Sequence, residues 1–64
     1  AVASESVKEE IRKLVGAEDP YRPLSDQRIV EELKRINIDI ARRTVTKYRE
    51  SLRILSSTLR RQIG

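Results

Sequence analysis

The two prolines of this 64-residue chain, Pro20 and Pro23, both fall within residues 17–24. Each lacks a backbone donor and fixes φ, so a helix interior accepts neither, and the residue ahead of each is pushed toward extended backbone. The chain must therefore break there. The stretches on either side carry apolar residues at helical spacing. Val7, Ile11, Leu14 and Val15 fall at i, i+4, i+7 and i+8 before the break, while Ile29, Val30, Leu33 and Ile36 form a second stripe after it. Ala41, Val45, Tyr48 and Leu52 form a third, narrower line. Such spacing is the signature of amphipathic helices, and with only two glycines a turn-rich all-β design is disfavoured.

Start and stop signals bound the elements. Ser6 with Glu9 three residues on reads as a capping box opening a helix over about 6–16, with Gly16 as its stop. Ser25 is a good N-cap for a helix over about 25–36, Asp26 suits the positive end of its dipole, and Leu24 and Ile29 are spaced as a hydrophobic staple. Asn37 tolerates the left-handed conformation that ends helices, and Asp39 is placed to cap a third helix over about 40–53. Glu9/Lys13 and Glu31/Arg35 are expected to pair on solvent faces. Ser56, Ser57 and Thr58 can cap a short further turn carrying Leu59 and Ile63, and the tail over 56–64 is expected to be flexible. The sum is an all-α domain of three helices in which the last two form a helix-turn-helix.

What the chain lacks narrows its chemistry. It has no His, the commonest general base and zinc ligand, and no Cys for disulfides or thiolate ligands. Neither catalysis, a metal nor another cofactor is expected. No apolar run nears the ~18 residues that would cross a bilayer, and the first ten residues lack the pattern of a secretory signal. A domain this short buries only about 60% of its unfolded surface, so marginal stability is expected. The lack of an initiating Met suggests a segment of a longer protein.

Charge is unevenly distributed. The chain nets +4, but residues 1–39 net −2 on seven basic and nine acidic side chains, and residues 40–64 net +6 on seven basic residues and Glu50. Such asymmetry between halves points to a polyanionic partner. In a helix-turn-helix the second helix enters the major groove with its N-terminal residues at the base edges. With Val45 and Tyr48 turned to the core, Arg43, Thr46, Lys47 and Glu50 project away from it, and Arg42 precedes them at the N-terminal end. Arginine can donate two hydrogen bonds to guanine O6 and N7; threonine and lysine suit thymine methyls and phosphates. Arg49 and Arg53 lie on the flank, suited to phosphates. Glu50 can accept from a cytosine amino group or pair with Lys47 or Arg53. Thr44, and Ser25 at the start of the preceding helix, complete the candidate DNA contacts. Tyr48 reads as core, since it completes the apolar line, and Tyr21 as a packing residue in the proline loop.

The ten residues Ala41 to Glu50, ARRTVTKYRE, resemble the RpoN box, the signature near the C-terminus of bacterial sigma-54 transcription factors. The likeness extends back through Glu18-Asp19-Pro20, Pro23-Leu24-Ser25-Asp26, Ile29 and Leu33, and covers roughly Val7 to Leu59. It implies a promoter-binding domain that recognises the GG-containing upstream (−24) element on duplex DNA. It also implies a whole factor that delivers core RNA polymerase and awaits an ATP-hydrolysing activator in the bacterial cytoplasm, at the nucleoid. By position in the box, Arg42, Arg43 and Lys47 inherit DNA-contact roles, with Thr44, Thr46 and Arg49 supporting. The sequence departs from the family in one place: Arg53-Ile54-Leu55 stand where Gly-Ile-Pro is expected. Without those breakers the third helix is expected to run on.

The domain is expected to act as a monomer, no dimer surface being evident. The competing reading is a basic helical module that docks on an acidic protein partner. Salt dependence without sequence preference would mark it.

Overall fold

The computed structural model describes residues 4–61, which run through helices α1 (Ser4–Ala17), α2 (Asp26–Lys34) and α3 (Arg42–Ser51) and a single turn, α4 (Ser57–Arg60). Val7 and Ile11 of α1, Ile29, Val30 and Leu33 of α2, Ile38 of the following turn and Val45 of α3 are buried together as one core. Leu14, Val15, Leu24, Tyr48 and Leu52 pack against its edge. The three longer helices pack pairwise around it, so the all-α class and the helix-turn-helix expected from the sequence are present.

The connections explain where the helices stop. After α1, Pro20 and Tyr21 sit at the middle of a tight turn in which the Arg22 N–H donates to the Asp19 carbonyl at 2.9 Å and the Tyr21 N–H to the Asp19 carboxylate at 2.9 Å. Ser25 caps α2 as expected, its Oγ accepting from the Arg28 N–H at 3.1 Å. Asn37 adopts φ 65°, the Ile38 N–H donates to the Leu33 carbonyl and the Asn37 N–H to the Lys34 carbonyl. These are the paired bonds of a Schellman motif, whose left-handed residue closes the helix.

That closure moves one core position. Ile36, read as the end of the buried stripe, is half exposed at 49%, whereas Ile38 is 7% exposed. The left-handed step at Asn37 takes the chain off helical phase and folds Ile38 back over Leu33. Three cap and boundary expectations also fail. α1 begins at Ser4, so Ser6 lies within its first turn, and Glu9 pairs with Arg12 at 3.6 Å instead of reaching back to a cap. α1 also runs through Gly16 to Ala17. Ala41, not Asp39, holds the N-cap position of α3, with no side-chain cap bond. The expected i,i+4 pairs are replaced largely by i,i+3 contacts: Glu5–Lys8, Glu9–Arg12, Glu10–Lys13, Arg28–Glu31 and Arg35–Glu32, all 3.6–3.8 Å apart. Being solvent-facing, they add little stability.

α3 does not run on. It ends at Ser51, and Arg53 takes φ 60° while the Ile54 N–H donates to the Arg49 carbonyl and the Arg53 N–H to the Glu50 carbonyl. A second Schellman motif thus forms with arginine in the position that glycine usually fills. Beyond it the chain is docked. Arg60 donates to both carboxylate oxygens of Glu18 at 2.9 Å, to the Leu24 carbonyl at 2.7 Å and to the Leu55 carbonyl. Over Ser57–Arg60 the chain forms a turn joined to the proline loop by an almost fully enclosed ion pair. Ile63 lies outside the described residues.

Candidate nucleic-acid interface

α3 divides its side chains between three directions. Val45 is fully buried, and Tyr48 packs beside it with the Lys8 ammonium 5.6 Å from its ring centroid. That contact confirms Tyr48 as a packing residue, held from α1 by a cation–π contact. Ala41, placed on the apolar line by spacing, is exposed ahead of the helix. Arg43, Lys47 and Glu50 are exposed on the opposite side, as are Arg42 at the N-terminal end of the helix and Arg53 just past its C-terminal end. Among the described residues none of these five takes part in an ion pair, so Glu50 pairs with neither Lys47 nor Arg53.

The third direction leads inward, to α2. Asp26, the first residue of α2, accepts from the Thr46 hydroxyl at 2.6 Å and from Arg49 Nε at 2.9 Å. Arg49 Nη1 donates in turn to the Ile54 carbonyl at 2.7 Å. Arg49 is 7% exposed, so its guanidinium is turned inward instead of standing on the flank where helical phase placed it. Thr46 is half-buried with its proton on Asp26, which removes it from the outward set; Thr44 is half-buried as well. Burial alone would raise the Asp26 carboxyl. The hydrogen bonds from Thr46 and Arg49 and the charges of Arg49 and Arg42 outweigh that and hold it below the usual aspartate value. The same balance applies at Glu18, where burial is outweighed by Arg60 and the Leu24 N–H.

Ser25 is exposed at the N-terminus of α2, its oxygen engaged by the Arg28 N–H. Its hydroxyl proton remains available to an acceptor. The sequence-derived contacts thus separate into an exposed group on and just past α3, Ser25 at the mouth of α2, and an inward-turned pair, the half-buried Thr46 and the buried Arg49, both donating to Asp26 of α2.

Sequence reasoning gave Asp26 a dipole role and missed its ion pair. One signal was available for Arg49: it stands four residues after Val45 and three before Leu52, in phase with the core. A charge in that phase requires a buried partner. Nothing in the local pattern named the partner.

The arrangement can do two things chemically. The exposed guanidiniums and ammonium present donors and positive charge of the kind that suits a groove lined by phosphates and acceptor-bearing base edges. The inward-turned pair holds α3 at one angle to α2.

Comparison with known proteins identifies the family of the chain. The family described as "Sigma-54, DNA binding domain" matches residues 1–62. The RNA polymerase sigma-54 factor 1 of Bradyrhizobium diazoefficiens is 52% identical over 62 residues, 97% of this chain and 13% of that protein. The RNA polymerase sigma-54 factor of Acinetobacter guillouiae is 52% identical over 59 residues, 92% of this chain and 12% of that protein. That of Escherichia coli K12 is 44% identical over 61 residues, 95% of this chain and 13% of that protein. The chain spans only 12–13% of the length of these relatives.

Proposed function

The chain belongs to the sigma-54 DNA-binding domain family, and we propose that it binds duplex promoter DNA by laying α3 in the major groove, reading the GG-containing −24 element. The observation that carries this is the sorting of the arginines. Arg42 and Arg43 at the N-terminal end of α3 stand exposed beside Lys47, while Arg49 and Arg60 are neutralised inside by Asp26 and Glu18. Unpaired positive charge is therefore left exposed at the end of the helix that meets base edges. Arg42 and Arg43 are the base readers, each able to donate a bidentate pair to guanine. Lys47 and Arg53 neutralise phosphates, Ser25 donates to a backbone oxygen at the mouth of α2, and Glu50 limits which bases α3 accepts. Thr44, half-buried in the first turn, supports the helix end. Thr46 and Arg49 act through Asp26, as positioning residues.

Membership of a DNA-binding family sets aside the alternative of an acidic protein partner. The module binds and does not catalyse; within a full-length bacterial factor it would bring core RNA polymerase to the promoter, where an ATP-hydrolysing activator acts. The domain works as a monomer in the cytoplasm, at the nucleoid. Amide chemical-shift mapping with a GG-containing duplex tests this reading. Perturbations centred on residues 42–47 are expected, and perturbations centred on α1 would refute it.

A further inference from the structure

Away from α3, most basic side chains are held by a carboxylate. Arg22, Lys34 and Arg61 take part in no ion pair among the described residues, and Arg22 and Arg61 are the arginines among them. The two arginines come from opposite ends of the domain, yet they line one open groove of about 320 Å³. Tyr21 and Pro23 form one wall with Arg22, and Ser57 and Thr58 form the other with Arg61. No carboxylate is among the lining residues.

The groove is held open by the fold. Arg60, next to Arg61 in sequence, donates to Glu18 and to the Leu24 carbonyl, which ties α4 to the proline loop. The Tyr21 ring, 55% exposed, has no apolar cover to explain its place there. Its hydroxyl and those of Ser57 and Thr58 are donors of the kind that meet phosphate oxygens.

Position gives the groove its occupant. Its first wall is the segment that leads directly into α2, and Asp26 at the start of α2 touches Thr46 of α3 at 2.6 Å. Arg22 is four residues from Asp26, and four extended residues span at most about 14 Å, roughly four base-pair rises of about 3.4 Å along the duplex axis. The first helix of a helix-turn-helix crosses the DNA backbone. The N-terminal end of α2 thus carries the groove to the phosphates beside the bases that α3 reads.

We infer that the groove between Tyr21–Pro23 and Ser57–Arg61 is a second backbone clamp, in which Arg22 and Arg61 neutralise phosphates flanking the α3 footprint. The inference rests on the DNA reading proposed above. The clamp reaches no base edge, so it contributes affinity and register without sequence information.

Salt titration of the chain on a GG-containing duplex and on its scrambled counterpart tests the clamp. Each phosphate contact adds about 0.9 to the slope of log K against log salt, so Arg22→Ala/Arg61→Ala should lower the slope by roughly two. Between about 50 and 200 mM salt the double variant should then lose roughly tenfold less affinity than the parent, on both duplexes alike. Arg22→Lys/Arg61→Lys keeps the charge and should keep the slope, which separates a phosphate contact from a folding defect. An unchanged slope in the alanine variant, while Arg43→Ala still relaxes base preference, overturns the clamp and leaves the role of α3 standing. If the parent shows no preference for the GG-containing duplex, the recognition reading falls and the clamp falls with it.

Discussion

The Asp26 carboxylate, at the first position of α2, accepts from the Arg49 guanidinium of α3 at 2.9 Å, with the two side chains 17% and 8% exposed. That contact decides what Arg49 can do. An enclosed guanidinium cannot leave its partner for a phosphate without abandoning a charge in the interior, which costs several kcal/mol. Arg49 therefore sets the angle between the helices of the motif, and its Ile54 bond ties the end of α3 to the same point.

Removing Asp26 should expose this dependence. Asp26→Ala strands Arg49 and the Thr46 hydroxyl, and the expected loss is about 2–4 kcal/mol, below the full range for a buried pair because Asp26 keeps some solvent contact. A domain this small has little stability to lose. Asp26→Asn retains acceptor oxygen for Thr46 and should lose roughly half as much. Urea unfolding followed by circular dichroism measures both; an alanine variant as stable as the parent would contradict the role of the pair.

Acid should act through the same contacts. Asp26 and Glu18 titrate below their ordinary values in the folded chain, burial being outweighed by hydrogen bonds and by the arginines. A folded value below the unfolded one means stabilisation that is complete above the unfolded value and is lost as pH falls through the folded one. The urea midpoint should therefore hold steady down to about pH 5 and fall below about pH 4. Asp26→Asn should flatten that fall, and an equally steep one would show that other carboxylates govern it.

Arg53 offers a gain. It holds φ 60°, where a side chain costs roughly 1–2 kcal/mol relative to glycine's freedom, and glycine is the residue that the family resemblance places there. Arg53→Gly should stabilise the domain by about 0.5–1 kcal/mol, the unfolded chain's extra freedom offsetting the rest. Thermal unfolding should shift upward by about 2–8 °C. A downward shift would mean that the Arg53 side chain contributes packing that outweighs its backbone conformation.

Much of the fold was legible because helical spacing and local punctuation do not depend on distant partners. The stripes Val7–Ile11 and Ile29–Val30–Leu33, the Ser25 cap and the Asn37 stop all act within a few residues. What was not legible depends on tertiary contact. Ile36 and Ile38 exchange places because one left-handed residue shifts the phase. Arg60 and Glu18 are 42 residues apart and meet only once α4 docks. On α3 the exposed Arg43, Lys47 and Glu50 followed from phase alone, and Arg42 from its place at the helix's N-terminal end. That Thr46 and Arg49 turn inward was not legible, because their partner, Asp26, lies on another helix.

The sharpest test separates two arginines of one helix. Arg43 is exposed and unpaired among the described residues, whereas Arg49 is enclosed by Asp26 and Ile54. Arg43→Ala should cost about 1–3 kcal/mol of duplex affinity and relax the preference at one base pair, with thermal stability within about 0.5 kcal/mol of the parent. Arg49→Ala should do the reverse first: it leaves Asp26 unpaired and lowers stability by about 2–4 kcal/mol. Affinity measured well below its melting point should then decline on specific and scrambled duplexes alike, because α3 loses its fixed angle. Fluorescence titration at fixed salt, paired with thermal melts of each variant, reads both quantities. Should Arg49→Ala keep full stability and lose only affinity, Arg49 would be a phosphate contact after all, and the inward network would not be what orients α3.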